Sequence, residues 1–199
     1  MILDSHLTYD EHIISIVSKC MSYLAQINRV KHAFDDKTLV TVINALVFSK
    51  LYYCSSVWAN TSKNNIQKLQ AVQNFACRIV CGVRKYDHIT PLLKELKWLP
   101  VAKQLYYRNA IVAFKCMTGS APEYLSEKFV KRVEISNRTT RNSQKLNIPF
   151  FKTASGQRTF YYRIVKLWNE LDSSLKLCQN VVAFKKLLRS KLLHQFQNE

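Results

Sequence analysis

With 199 residues and 48% hydrophobic side chains, the chain suffices for one domain and an appendage and can bury a real core. Three glycines and four prolines argue against an all-β or disordered chain. The net charge of +17 points to phosphate-bearing partners, because neutralised phosphates release condensed counterions; anionic membranes, ribosomal assemblies and acidic proteins would respond to the same charge.

In chain order, residues 1–4 are a short apolar scrap ending in Asp4, and residues 1–6 are expected to be poorly packed. From His12 to about Phe34, Ile13, Val17, Cys20, Leu24 and Ile27 share one side, which predicts an amphipathic helix. A second helix is expected after Asp35-Asp36, where either carboxylate can cap exposed N–H groups. It runs through Val40, Ile43, Leu46, Val47 and Leu51 to about Trp58. Leu69, Val72, Ala76 and Ile79 recur at helical spacing within a third, from about Asn64 to Cys81. A basic loop, Gly82-Val83-Arg84-Lys85, follows. Thr90-Pro91 begins a short helix with Pro in its favoured first turn, and Pro100 opens a longer one ending near Gly119. Ser120-Ala121-Pro122-Glu123 reads as a capping box.

From Lys131 to Lys145 the chain is polar, basic and poor in large apolar residues, which reads as a loop or linker. Leu146, Ile148 and Phe150 alternate as in one short strand, which Pro149 confines to an edge. Phe160 to Leu171 reads as helix. The last helix, about Val181 to Phe196, carries Val181, Phe184, Leu188 and Leu192 on one side and Lys185, Lys186, Arg189 and His194 on others. The expected fold is therefore mainly α, with six or seven helices in all: a helical bundle over residues 1–130, then a basic C-terminal extension over 131–199 with a loop, terminal helices and at most a short β-hairpin. Charge follows the same division. Residues 1–36 carry three basic and five acidic side chains, residues 37–127 twelve and four, and residues 128–199 fifteen and four.

Catalytic chemistry finds few candidates. The cysteines Cys20, Cys54, Cys77, Cys81, Cys116 and Cys178 contain no Cys-x-x-Cys pair, so they read as small buried apolar residues in a reducing compartment rather than zinc ligands. The five histidines are scattered, and three isolated glycines make no phosphate loop. No cofactor, metal or small-molecule substrate is expected. The sequence has no signal peptide and no 18-residue apolar span, so an intracellular protein, nuclear or cytoplasmic, is expected.

Several blocks together carry a family resemblance. Tyr53-x-x-x-Val57-Trp58 is followed by Leu69-Gln70-x-x-Gln73-Asn74-x-Ala76-x-Arg78. Leu99-Pro100-Val101 and Phe114 to Leu125 form a second block; Gly156-Gln157-Arg158-Thr159-Phe160 and Lys166 to Leu171 form a third. With Leu3-Asp4 and His12-Ile13 ahead of them, these blocks resemble the region after the polymerase palm in LINE-type (non-long-terminal-repeat) retrotransposon reverse transcriptases of the jockey and chicken-repeat groups. Ala59 replaces the family's usual Gly, Ser49 a common Pro, and Asp172 the Pro that often follows the last motif.

The resemblance implies a helical thumb with a C-terminal extension, which holds a template–primer duplex through its sugar–phosphate backbone without reading sequence. The candidate nucleic-acid-binding residues are Arg138, Arg141 and Lys145 in the polar loop, Arg158 and Arg163 around Gly156, and Lys185, Lys186 and Arg189 on the last helix. Trp58, Trp98, Trp168, Tyr106, Tyr107, Tyr161 and Tyr162 could stack on bases, but their apolar neighbours favour core packing. The family's catalytic Phe-Ala-Asp-Asp sits on a strand hairpin. Here Ala33-Phe34-Asp35-Asp36 lies between two helical patterns, so helix capping is expected and metal binding is not. The expected protein is a truncated or degenerate reverse transcriptase fragment, not itself an enzyme, whose partner is a hybrid or duplex nucleic acid. The alternative is a co-opted helical module that binds a protein.

Overall fold

A computed structural model describes residues 1–135 and 142–199. The chain is mainly α, and among the described residues the extended structure is limited to a single antiparallel bridge between Lys131 and Leu146. It divides into two compact units, one of residues 1–105 with 193–199, the other of residues 106–192. The compositional shift at Lys131 therefore falls inside the second unit.

In the first unit, Asp4 fixes the entry to the first helix. Its carboxylate accepts backbone N–H bonds from Thr8, Tyr9 and His6, those of Thr8 and Tyr9 chiefly holding its pKa below the usual carboxylate range. Met1, Ile2 and Leu3 ahead of it are exposed. Helix α1 (Asp10–Val30) buries His12, Ile13, Cys20, Leu24 and Ile27, and a 3-10 turn, Lys31–Ala33, follows. Asp35 then caps α2 (Asp36–Ile43), its side chain accepting from the Thr38 N–H at 3.1 Å. The second predicted helix is not continuous. A π-helical segment, Asn44–Phe48, leads to α3 (Ser49–Leu51), and Cys54, in the left-handed region at φ 48°, separates that from α4 (Ser55–Trp58). A π turn holds more residues than an α turn and so rotates the inward face. Val47, Phe48 and Leu51 are buried, while Leu46, expected inside, is 45% exposed.

Ser62 caps α5 (Lys63–Cys81) by accepting from the Asn65 N–H, and Gly82 ends it in the left-handed conformation that favours glycine. The predicted stripe of Leu69, Val72, Ala76 and Ile79 is buried and packs with Ile13, Leu24, Ile43 and Val47 into one core, with α1 and α2 both against α5. Next come α6 (Thr90–Glu95), with Pro91 in its first turn, and α7 (Val101–Met117). Two glutamines of α5 hold the segment between them. Gln73, 2% exposed, donates from Nε2 to the Leu99 carbonyl at 2.9 Å, and Gln70 Oε1 accepts the Val101 N–H at 2.8 Å. Gln70 Nε2 in turn donates to Gln73 Oε1 and Asn74 Oδ1. The amide-rich motif thus satisfies a helix N-terminus and a buried carbonyl that, among the described residues, have no other side-chain partner. Gln73→Ala, which orphans that carbonyl, is expected to cost about 1–3 kcal/mol in urea unfolding; Gln67→Ala, on the exposed side of α5, should stay within about 0.5 kcal/mol.

The second unit is built around the later part of α7. Ala113, Cys116, Phe129, Leu146, Ile164 and Val165 form its core, and Phe114 stacks on Phe184 with ring centroids 4.3 Å apart. The Ser120 capping box does not form. Gly119, at φ 68°, turns the chain so that the Ser120 and Ala121 N–H groups close α7 on the Lys115 carbonyl, and Pro122 precedes α8 (Glu123–Ser126) without a side-chain cap. A single turn, α9 (Arg132–Ile135), occupies the start of the expected loop. After it come α10 (Ala154–Gln157), α11 (Phe160–Glu170), α12 (Ser173–Lys176) and α13 (Val181–Gln197), with Phe184, Leu188 and Leu192 buried.

The strand expected from Leu146 to Phe150 is absent. The Arg132 N–H donates to the Lys145 carbonyl and the Asn147 N–H to the Val130 carbonyl, but both backbone groups of Leu146 face the Asn169 side-chain amide. Asn169 Oδ1 accepts the Leu146 N–H and Nδ2 donates to its carbonyl, each at 2.9 Å. One side chain takes the place of a neighbouring strand there, Pro149 has no N–H to extend the pairing, and Phe150 is 83% exposed.

Candidate nucleic-acid interface

Arg138 and Arg141 lie outside the described residues. Lys145 is exposed and is positioned through its main chain, between the turn from Asn142 and the bridge at Leu146. Arg158 and Arg163 are brought together at the corner between α10 and α11, where Arg163 Nε donates to the Arg158 carbonyl at 3.1 Å. Gly156 makes this corner possible. A Cβ at residue 156 would sit 2.7 Å from atoms of the Phe151 side chain, closer than any side chain tolerates. Thr153 accepts the Gly156 N–H and Thr159 donates to its carbonyl, so the Gly156-to-Phe160 motif is a packed turn. Lys185, Lys186 and Arg189 are exposed on α13, off the face that buries Phe184 and Leu188.

The aromatic residues mostly serve the interior. Trp58 is fully buried, with His12 edge-on at 6.3 Å between ring centroids. Burial holds the His12 imidazole below its usual pKa, favouring the neutral ring. Trp98 packs on Phe48 at 4.9 Å, Tyr161 on Phe129 at 5.4 Å and Tyr162 on Phe151 at 6.1 Å. Tyr106 is 38% exposed.

One cationic group escaped the sequence reading. Lys176, half-buried at the end of α12, donates from Nζ to the main-chain carbonyl of Asn169 at 3.4 Å and lies 5.8 Å from the Trp168 ring. Burial pushes its pKa down, and the charge of Lys145 pushes the same way. The signal for it was the Lys166-to-Leu171 motif, whose Asn169 reaches both Leu146 and Lys176. Beside it, Lys191 pairs with Asp172 and donates to Ser174 Oγ at 2.7 Å; the Lys191 bond, with the Ser174 N–H, holds the Asp172 carboxyl at about 2.

Other features offer phosphate less. An open cleft of about 490 Å³ in the first unit has Asp36 and Glu95 among its lining residues, and their carboxylates oppose an anion. Burial drives the Cys20 thiol up to about 11 and the Cys77 thiol up to about 12, so both are protonated and poor nucleophiles near neutral pH. Among the described residues, no group of three or more His, Cys, Asp or Glu is placed to hold a metal ion, and no helix is long and apolar enough to cross a membrane. Comparison of the chain with protein-family models, with curated proteins and with solved structures gives no match.

Proposed function

We propose that this chain binds a nucleic-acid duplex, template–primer hybrid included, by its sugar–phosphate backbone and without reading sequence. In this reading it corresponds to the region after the palm of a LINE-type reverse transcriptase and contributes no nucleotide-transfer chemistry of its own. The observation that carries the reading is the cationic surplus. Thirty basic side chains face thirteen acidic ones, and fifteen of the thirty lie after residue 127 against four acids. Seventeen cations thus have no acidic side chain to match them, while Lys145, Lys185 and Lys186 stand exposed. Exposed cations in excess attract phosphate and hold register without discriminating between bases. Asp35 supports the non-catalytic half of the reading, because its carboxylate is engaged as a helix cap.

Two charge-matched variants test the proposal on an RNA–DNA hybrid duplex. The triple substitution Arg138→Gln, Arg141→Gln, Arg158→Gln should flatten the plot of log K against log salt by about two to three units, near one per lost phosphate contact. The triple substitution Lys185→Gln, Lys186→Gln, Arg189→Gln should flatten it less. Equal losses from both would replace the loop-centred interface with general cation attraction. A slope near zero in the unmodified chain would reject duplex binding and favour the protein-binding module.

A further inference from the structure

We infer that Lys145 and Lys176, gathered by Asn169, form a binding site for a phosphate group. The inference deepens the proposed function by naming where one backbone phosphate rests, and it depends on that reading only for the identity of the phosphate's owner.

The geometry begins at Asn169. Its side chain binds both backbone groups of Leu146, which places the preceding residue, Lys145, at the end of α11. Its main-chain carbonyl accepts from Lys176 Nζ. Two lysines 31 positions apart in sequence are therefore anchored on one residue, the first through main chain and the second through its side chain. A like-charge pair stands at a cost unless an anion lies between its members.

No side-chain carboxylate fills that role. Asp172 is the acid that acts on Lys176, and its attraction for the ammonium ranks below the opposing effects of burial and of Lys145. Asp172 is already engaged by Lys191 and by the Ser174 N–H. The carbonyl of Asn169 occupies one of the three Lys176 donors, and no other hydrogen bond among the described residues occupies the remaining two. Lys145 is exposed to solvent, while Lys176 is seated on the Trp168 ring and the Asn169 carbonyl. Two ammonium groups, one exposed and one partly desolvated, suit a tetrahedral oxyanion, because each acts as a point charge with rotatable donors.

The test uses the full chain with lysine side-chain NMR signals, titrated with inorganic pyrophosphate and, separately, with an RNA–DNA hybrid duplex. Pyrophosphate should move the Lys145 and Lys176 signals together and saturably, while Lys185 and Lys186 drift slightly and without saturation. Lys145→Gln keeps the main-chain anchors, so the fold should stand; it should weaken pyrophosphate roughly tenfold, the scale of one charge-assisted bond. The same substitution should raise the Lys176 pKa toward its ordinary value. Uniform, non-saturating shifts across all lysines, or a Lys145→Gln variant that binds pyrophosphate as well as Lys63→Gln at the exposed start of α5 does, would overturn the site. Saturation by pyrophosphate without any duplex binding would uphold the site and reject the nucleic-acid reading. Duplex binding by a chain in which pyrophosphate moves no lysine signal saturably would uphold that reading and reject the site.

Discussion

Raising salt from about 50 to about 200 mM should weaken hybrid-duplex binding by roughly two to three orders of magnitude. The expectation follows from four to six engaged phosphates at roughly −0.9 each in log K against log salt, a slope near −4 to −5. Fluorescence anisotropy with two duplexes of unrelated sequence checks both halves of the claim. The two curves should superimpose, because backbone contacts carry no base information. A flat salt response, or a preference above tenfold for one duplex, would count against a sequence-independent grip on the backbone.

The long helices were legible because burial imposes a period on them. The stripe in α5 is buried at every predicted position, and the apolar positions of α1 and α13 follow suit, Val17 and Val181 being half-buried. The turns between helices were less legible, since each depends on a partner far along the chain. No local pattern announces that Asn169 will supply both hydrogen bonds of Leu146, so alternation at Leu146, Ile148 and Phe150 mimics a strand. The π segment at Asn44–Phe48 is similarly silent: its composition is ordinary for a helix, and only the exposure of Leu46 reveals the shifted face. Ser120 misled for a different reason. Its spacing to Glu123 fits a cap, but the chain there is already committed to closing α7 around Gly119.

The motif residues have a common physical role that their spacing did not disclose. Gln70 and Gln73 tie α5 to the start of α7, Asn169 ties α11 to Leu146, and Trp58 sits against His12. Each joins segments that are distant in sequence through a polar or aromatic side chain at least partly withdrawn from water. Such residues tolerate few replacements, because a substitute must match both shape and hydrogen bonding. For the interface, sequence identified the basic residues but not their grouping. Charge is visible in composition, whereas the anchoring of both Leu146 and Lys176 on Asn169 exists only in the folded chain.

Trp58 is the largest side chain buried in the first unit, and its removal should be costly. Its side chain is fully buried, its indole Nε1 donates to the Tyr53 carbonyl at 2.9 Å, and it belongs to the core shared by α1, α2 and α5. Trp58→Ala should therefore cost about 3–5 kcal/mol, the range for emptying a large aromatic site that only partly collapses. Amide exchange in α1 and α5 reports this for the affected unit alone, and protection there should fall by roughly two to three and a half orders of magnitude. Trp58→Phe retains most of the apolar volume and loses the indole N–H, so its cost should be clearly smaller. If both substitutions left protection in α1 and α5 within about a factor of five of the parent chain, Trp58 would not be the clasp between the start of α1 and the approach to α5. A tryptophan held in place only by its neighbours in sequence has no need of His12 opposite it.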